Sequence, residues 1–417
     1  MSDRVTRFAD EAERDPVGAV ERLRADLVES GGPLVKRLTD TTVEVTFVWI
    51  GPERQVSVRA QVFEDPNALS HPMRRVPGTQ VWHLDAVVAS DVVTTYQFLV
   101  DDPFTDADHS DLAELGRLMV EARARMLADP FNPRALFPQM AVVAGEDTAD
   151  RRFWDSELRL PDAEDVDWFD AEPTDRGKLT EHDLSDRTIT VYTPPGYQAD
   201  RTYPLVVLLD GECWPLVARL DTALDNLMGR EIEPAVVAMV HNTGGMAPRM
   251  AELACDSAFA THLAEDVLPF VRSLYPVSDD TSRVVLAGNS LGGLAAAHTA
   301  LERPDAFGAV LSCSGAHWWG YRDSETGWGK DSEPEWLTRQ YAKAPLLPLR
   351  FWIDVGSLET GASPVSPGVD QRAANRHLRT VLRARGYPVT YHEAAGGHDF
   401  ATFRRSVVKG LRALLPA

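Results

Sequence analysis

Residues 282–304, SRVVLAGNSLGGLAAAHTALERP, decide the fold of the larger part of this chain. The run SRVVLAG reads as a buried strand, and LGGLAAAHTALE reads as a small-residue helix, with only Asn289 and Ser290 between them. A serine on so sharp a strand-to-helix turn presents its hydroxyl above the sheet edge. The glycines of Gly288-Asn289-Ser290-Leu291-Gly292-Gly293 let backbone crowd around it. The competing reading is a serine that caps the helix after an ordinary tight turn. A strand before and a helix after, in that order, favour the nucleophile.

Outward from this turn, the apolar runs DRTITVYTP, YPLVVLLD, PAVVAMV, FGAVLSC, LRFWIDVG and PVTYHEA alternate with helix-like segments such as THLAEDVLPFVRSLY, QRAANRHLRTVLRARG and FRRSVVKGLRALL. Near-continuous apolar strands alternating with helices predict a mostly parallel sheet covered on both faces. This makes residues 183–417 an α/β-hydrolase-like catalytic domain. Earlier in the chain, TTVEVTFVWI, QVSVRAQVF, VWHLDAVV and VVTTYQFLV are β-branched and aromatic runs separated by turn residues. They predict a small antiparallel β-sandwich within residues 1–148, flanked by a charged N-terminal helix and a helix at HSDLAELGRLMVEARARM. Residues 149–182 combine prolines and acids with Trp154, Trp168 and Phe169, and are read as an ordered connection, because disordered linkers hold few aromatics.

Composition narrows the function. With 42 basic and 63 acidic residues the net charge is −21, and the first 150 residues (15 basic, 26 acidic) already hold −11 of it. A surface negative in both halves repels phosphate backbones and anionic headgroups, which excludes nucleic acid and membranes as partners. Cys213, Cys255 and Cys313 are far apart and form no CxxC pair, so neither a zinc site nor a disulfide framework is indicated. No secretion signal or membrane-length apolar run is found, and a cytoplasmic location is expected.

A serine hydroxyl needs a base. In this fold the base follows the acid in sequence, and His398, in Ala394-Ala395-Gly396-Gly397-His398-Asp399, lies between the strand PVTYHEA and the last helix, on the same sheet edge as Ser290. His392 is a strand residue, and HEAAGGH lacks the HExxH spacing of a zinc protease. The acid that fixes the imidazole tautomer is expected at Glu359, just past the strand RFWIDVG, with Asp354 inside that strand as the alternative. The oxyanion needs two backbone donors worth about 3–4 kcal/mol each. Leu291, after the nucleophile, supplies one, and Glu212, in Asp210-Gly211-Glu212-Cys213-Trp214, is chosen for the other. An ordinary turn is the alternative reading of Asp210-Gly211.

Together these residues resemble the enterochelin esterase family, of the esterase D branch of the α/β-hydrolases. The resemblance rests on DPFNP at 129–133, PPGY at 194–197, LLDGECW at 208–214, Arg249 with Glu252-Leu253, GNSLGG at 288–293, SGAHWW at 314–319 and GGHD at 396–399. It implies an Ig-like or early-set N-terminal domain and hydrolysis of ester bonds in ferric catecholate siderophores, releasing iron. Iron then arrives only as part of the substrate, and no resident metal or cofactor is expected. Ala316 and His317 depart from the family's SGSxWW pattern, and VGSLET matches it only loosely.

A ferric tris-catecholate carries about three negative charges, so a local cation must overcome the protein's own charge across a screening length of about 8 Å. Arg249 is the candidate, since a guanidinium suits catecholate oxygens. A surface ion pair, with Glu252 as partner, is the alternative. Trp214, Trp318 and Trp319 fall near the same edge and are candidates to stack on catechol rings, or else to plug a domain interface. Two rivals stay open. One is a general esterase or acyltransferase of the esterase D type, acting on another aryl ester or macrolactone. The other is a binding protein with an inert hydrolase domain.

Overall fold

The computed structural model describes residues 3–63, 65, 68–104, 112–137, 142, 150–164, 166–320, 333–361 and 370–417. Those residues divide into two compact units: one takes in 3–137, 150–164 and 395–401, the other 166–394 and 402–417. The expected junction at 148–149 lies outside the described residues.

The first unit holds two antiparallel sheets. One orders the strands Leu34–Arg37, Thr42–Ile50, Val81–Ala89 and Arg74–Arg75; the other orders His71–Pro72, Val56–Ala60, Val93–Val100, Asp155–Arg159 and Ala135–Leu136, with Met126–Leu127 pairing on Val93–Val100. Strand alternation sends Phe47 and Trp49 from the first sheet toward Tyr96 and Phe98 of the second, with ring centroids 5.1 and 5.2 Å apart. This is the sandwich core. The N-terminal stretch forms two helices, Asp3–Ala12 and Pro16–Ser30, the second capped by the Asp15 carboxylate on the Gly18 N–H. Their apolar face (Val5, Phe8, Leu23, Leu27) packs on Leu34, Val48 and Val81.

One difference from the sequence reading lies here. Asp155–Arg159, expected within a connection, is a full strand paired with Val93–Val100. Ser156 and Leu158 are buried, and the Glu157 carboxylate is matched by Arg159 at 2.9 Å, which lets charged residues enter a sheet.

The second unit is an eight-stranded sheet. Its order is Lys178–Leu184, Arg187–Thr193, Val236–Val240, Leu205–Leu209, Val284–Asn289, Ala309–Cys313, Arg350–Gly356, Val389–Ala394. The first two strands join antiparallel, and every pairing from Val236–Val240 to Val389–Ala394 is parallel. Lys178–Leu184 was likewise expected as connection. Its alternating half-buried pattern is that of an edge strand with one face in water. The central strands are buried throughout, as a sheet covered on both faces requires. Because these strands run the same way, the residues after Leu209, Asn289, Cys313, Gly356 and Ala394 all emerge at one edge.

Candidate active site

Ser290 is the residue between strand Val284–Asn289 and helix Leu291–Glu302. Its backbone sits at φ 55°, ψ −122°. A non-glycine residue held there costs about 1–3 kcal/mol, so its neighbours must enforce the conformation. They do: the Ser290 N–H donates to the Cys313 carbonyl at 3.0 Å, and the Ser290 carbonyl accepts from Ala316 at 2.9 Å and Leu294 at 3.1 Å. Gly288 is obligatory, since a Cβ there would stand 2.5 Å from the Gly292 carbonyl carbon. The serine side chain makes no capping bond to the helix, which removes the helix-cap reading.

The two expected oxyanion donors belong to neighbouring loops of this unit. Neither the Leu291 nor the Glu212 N–H has a hydrogen-bond acceptor among the described residues. Asp210 is in the left-handed region at φ 57°, and its Oδ2 would lie 3.3 Å from a Cβ built on Gly292, so the two loops meet. The first loop is braced by charge. Arg249 donates through Nε and Nη2 to the two Asp210 oxygens at 2.6 and 2.7 Å, and Asn242 Nδ2 reaches Asp210 at 2.9 Å and Glu212 at 2.6 Å.

This corrects the expectation for Arg249. It lies on helix Met246–Leu253, is buried, and has its charge neutralised bidentately by Asp210. Burial opposes that charge, yet Asp210 outweighs it and holds the guanidinium pKa above its ordinary value. The partner foreseen for it, Glu252, binds Arg187 at 2.8 Å instead. Arg249 therefore positions the Glu212 loop. Trp214 is corrected too: it is fully buried with its indole N–H on the Leu209 carbonyl at 2.8 Å, so its ring packs and offers no stacking face. Trp319 is also buried, edge-on to Trp336, and Trp318 is half-buried against the same core.

The two acids differ in setting. Glu359, past the end of strand Arg350–Gly356, accepts from the Gly356 N–H at 2.6 Å and the Ser314 hydroxyl at 2.5 Å. Both donors meet the same carboxylate oxygen, Oε1, and fix the side chain in place. Asp354 is inside the strand, fully buried, and bonded by the Ser406 hydroxyl on the last helix. Burial, with Glu359's charge adding to it, pushes Asp354 up to about 7. His317 is also enclosed; burial lowers it to about 3, and its Nε2 lies 3.0 Å from Ser312 Oγ, so it is a neutral packing residue.

His398 lies in the stretch 395–401, which groups with the sandwich unit. Val93 N–H donates to the Ala395 carbonyl at 2.9 Å, and the His398 N–H donates to Gln61 Oε1. The adjoining Asp399 carboxylate accepts from the Thr94 hydroxyl at 2.5 Å and the Thr95 N–H at 3.0 Å. Gln61, Thr94, Asn242 and Ser314 were not singled out from sequence. Ser314 and Asn242 had a usable signal, since each follows closely on a parallel strand at the active edge; Gln61 and Thr94 had none.

Comparison with known proteins now bears on this geometry. A family model described as "Putative esterase" matches residues 184–414, more than half of the chain, and one described as "Enterochelin esterase, N-terminal" matches residues 44–169. The chain belongs to the enterochelin esterase family. This enterochelin esterase family member is 28% identical over 416 residues to the iron(III) enterobactin esterase of Dickeya dadantii, covering 92% of this chain and 90% of that one. It is 29% identical over 383 residues to the iron(III) salmochelin esterase of Escherichia coli O6:H1, covering 88% and 86%. It superposes with a TM-score of 0.73 and 27% identity on the enterobactin esterase of Shigella flexneri, crystallised in the presence of enterobactin, over 92% of this chain and 96% of that one. As an enterochelin esterase family member the chain is a carboxylic ester hydrolase. None of its helices, among the described residues, is long and apolar enough to cross a membrane.

Proposed function

We propose that this enzyme hydrolyses the ester bonds of catecholate trilactone siderophores of the enterobactin type, the ferric form included, and so releases iron in the cytoplasm. The observation that carries the reading is the strained Ser290 turn, together with Leu291 and Glu212 N–H groups that have no acceptor among the described residues. Support for the substrate comes from relatives named for enterobactin and salmochelin over nearly the whole chain.

In this mechanism Ser290 Oγ attacks the ester carbonyl as His398 takes its proton, and Glu359 stabilises the resulting imidazolium. The tetrahedral oxyanion is held by the Leu291 and Glu212 N–H groups. Collapse breaks the C–O bond, the leaving alkoxide takes the proton from His398, and an acyl-enzyme remains. Water, deprotonated by the same imidazole, then releases the acid and restores Ser290. No resident metal or cofactor enters, and iron is cargo of the substrate.

Chromatography of products from ferric trilactone, iron-free trilactone and a p-nitrophenyl ester tests the reading. Linear and monomeric catechoyl-serine products are expected from the trilactones. Turnover confined to the p-nitrophenyl ester would move the assignment to a general aryl esterase, and absence of fluorophosphonate labelling at Ser290 would exclude an esterase mechanism through that serine.

A further inference from the structure

Three residues at the active edge hold a backbone conformation that a side chain opposes. Asp210, Ser290 and Ser314 directly follow the neighbouring strands Leu205–Leu209, Val284–Asn289 and Ala309–Cys313, with φ angles of 57°, 55° and 45°. Glycine enters this left-handed region freely, so a non-glycine residue kept there points to a use for its side chain. Asp210 grips Arg249, and Ser290 is the proposed nucleophile. Ser314 is the third, and its strand lies between the strand that leads to Ser290 and the strand that leads to Glu359.

A glycine does stand in this loop, one residue later. Space requires it: a Cβ on Gly315 would lie 2.4 Å from Ser312 Oγ and 2.3 Å from His317 Nε2. The Gly315 carbonyl accepts from two amides of helix Gln371–Ala384, Asn375 Nδ2 at 2.8 Å and Gln371 Nε2 at 2.9 Å. Asn375 is fully buried and also donates to the Gln371 carbonyl at 2.8 Å, so both amides act from one face of the helix. Gly315 is thereby pinned.

The pinned residue separates two contacts. Before it, the buried Ser314 donates its hydroxyl to Glu359 Oε1 at 2.5 Å. After it, the Ala316 N–H donates to the Ser290 carbonyl at 2.9 Å. The other donor to Glu359 Oε1, the Gly356 N–H, belongs to the strand that Glu359 itself follows. Ser314 is therefore the contact that ties this carboxylate to the loop bracing the serine turn.

We infer that Ser314 is a positioning residue of the reaction: through the pinned segment 314–316, its hydroxyl sets the Glu359 carboxylate relative to the Ser290 turn. The inference rests on Ser290 and Glu359 in the roles proposed above, and is independent of which ester is the substrate.

The test is the rate of Ser290 labelling by a fluorophosphonate, with kcat and KM on whichever of the three esters above the wild type hydrolyses. The variants are Ser314→Ala, Ser314→Gly, Glu359→Ala and the double variant Ser314→Ala/Glu359→Ala. Ser314→Ala loses the hydroxyl alone. Ser314→Gly loses it and also relieves the left-handed backbone, so it should melt no lower than Ser314→Ala. A misplacement of about 1 Å costs on the order of 10²-fold, so both should label and turn over at least tenfold more slowly than wild type, with KM changed less than about twofold. In the Glu359→Ala background, Ser314→Ala should change the labelling rate by less than about twofold, because the group it orients is gone. Wild-type rates in folded Ser314→Ala and Ser314→Gly, with Glu359→Ala slow, overturn this inference and leave the acid assignment standing. A Ser314→Ala loss undiminished in the Glu359→Ala background also overturns it. A Glu359→Ala enzyme as fast as wild type sinks the acid assignment, and this inference with it.

Discussion

The turn at Ser290 and the stretch at His398 are held in opposite ways. The serine is fixed by backbone: its own N–H and carbonyl bond Cys313, Ala316 and Leu294, and Gly288 admits Gly292 at a distance no Cβ allows. The histidine stretch is fixed by side chains of the sandwich unit, with Gln61 taking the His398 N–H and Thr94 taking the Asp399 carboxylate, partners more than 300 residues away in sequence. A backbone-held turn writes itself into a short motif. A side-chain-held loop depends on residues that no local pattern announces.

If both stretches serve one reaction, breaking the reacting groups comes first in size. Ser290→Ala and His398→Ala should each lower kcat on the order of 10⁴-fold or more, with the double variant hardly worse than either, as for residues acting as one unit. A His398→Ala enzyme that keeps a tenth of its rate would detach that stretch from the chemistry. The supports should follow. Gly288→Ala forces a Cβ into the Gly292 carbonyl, and overpacking of that kind costs about 1–3 kcal/mol in stability, visible as a lower melting temperature. Gln61→Ala leaves the serine turn untouched and removes the acceptor of the His398 N–H. A misplacement of about 1 Å costs on the order of 10²-fold, so a loss of 10- to 100-fold in kcat with KM little changed is expected. Loss of stability without loss of kcat in Gln61→Ala would reduce that contact to a structural one.

The same contrast explains what the sequence made legible. The strands of both units and the Ser290 turn follow from periodicity and glycine placement, and the structure has strands at Thr42–Ile50, Val56–Ala60, Val81–Ala89 and Val93–Val100 where β-branched runs pointed to them. Asp155–Arg159 and Lys178–Leu184 escaped because their polar residues are satisfied by ion pairs or by water, which erases the apolar signal. Arg249 and Trp214 were placed at the right edge of the sheet. Whether a side chain there faces inward or outward is a matter of tertiary packing, and Asp210 and the Leu209 carbonyl decided it.

The choice of acid sharpens the comparison at the serine's own sheet. Glu359→Gln should lower kcat more than Asp354→Asn does, by at least tenfold, because Glu359 sits past the strand end, where the chain leaves the sheet at the active edge, while Asp354 is tied to Ser406 within the sheet. The reverse order of kcat values would transfer the orienting role to Asp354.

A change in stability alone concerns the carboxyl of Asp354, which stands in register with Cys313, itself in register with Asn289, the residue before the nucleophile. Burial, opposed by the Ser406 hydroxyl and helped by Glu359's charge, raises its pKa from 3.8 to about 7. The folded protein therefore holds a proton that the unfolded chain has released. This contribution to stability is complete below the unfolded value of 3.8 and is lost as pH rises through about 7. At 1.36 kcal/mol per pKa unit, the loss is of order a few kcal/mol. Asn cannot ionise, so Asp354→Asn should gain stability relative to wild type between pH 5 and pH 8, read as a rising difference in urea midpoints. A difference that stays flat over that range would mean that the carboxylate is already charged in the fold at pH 5.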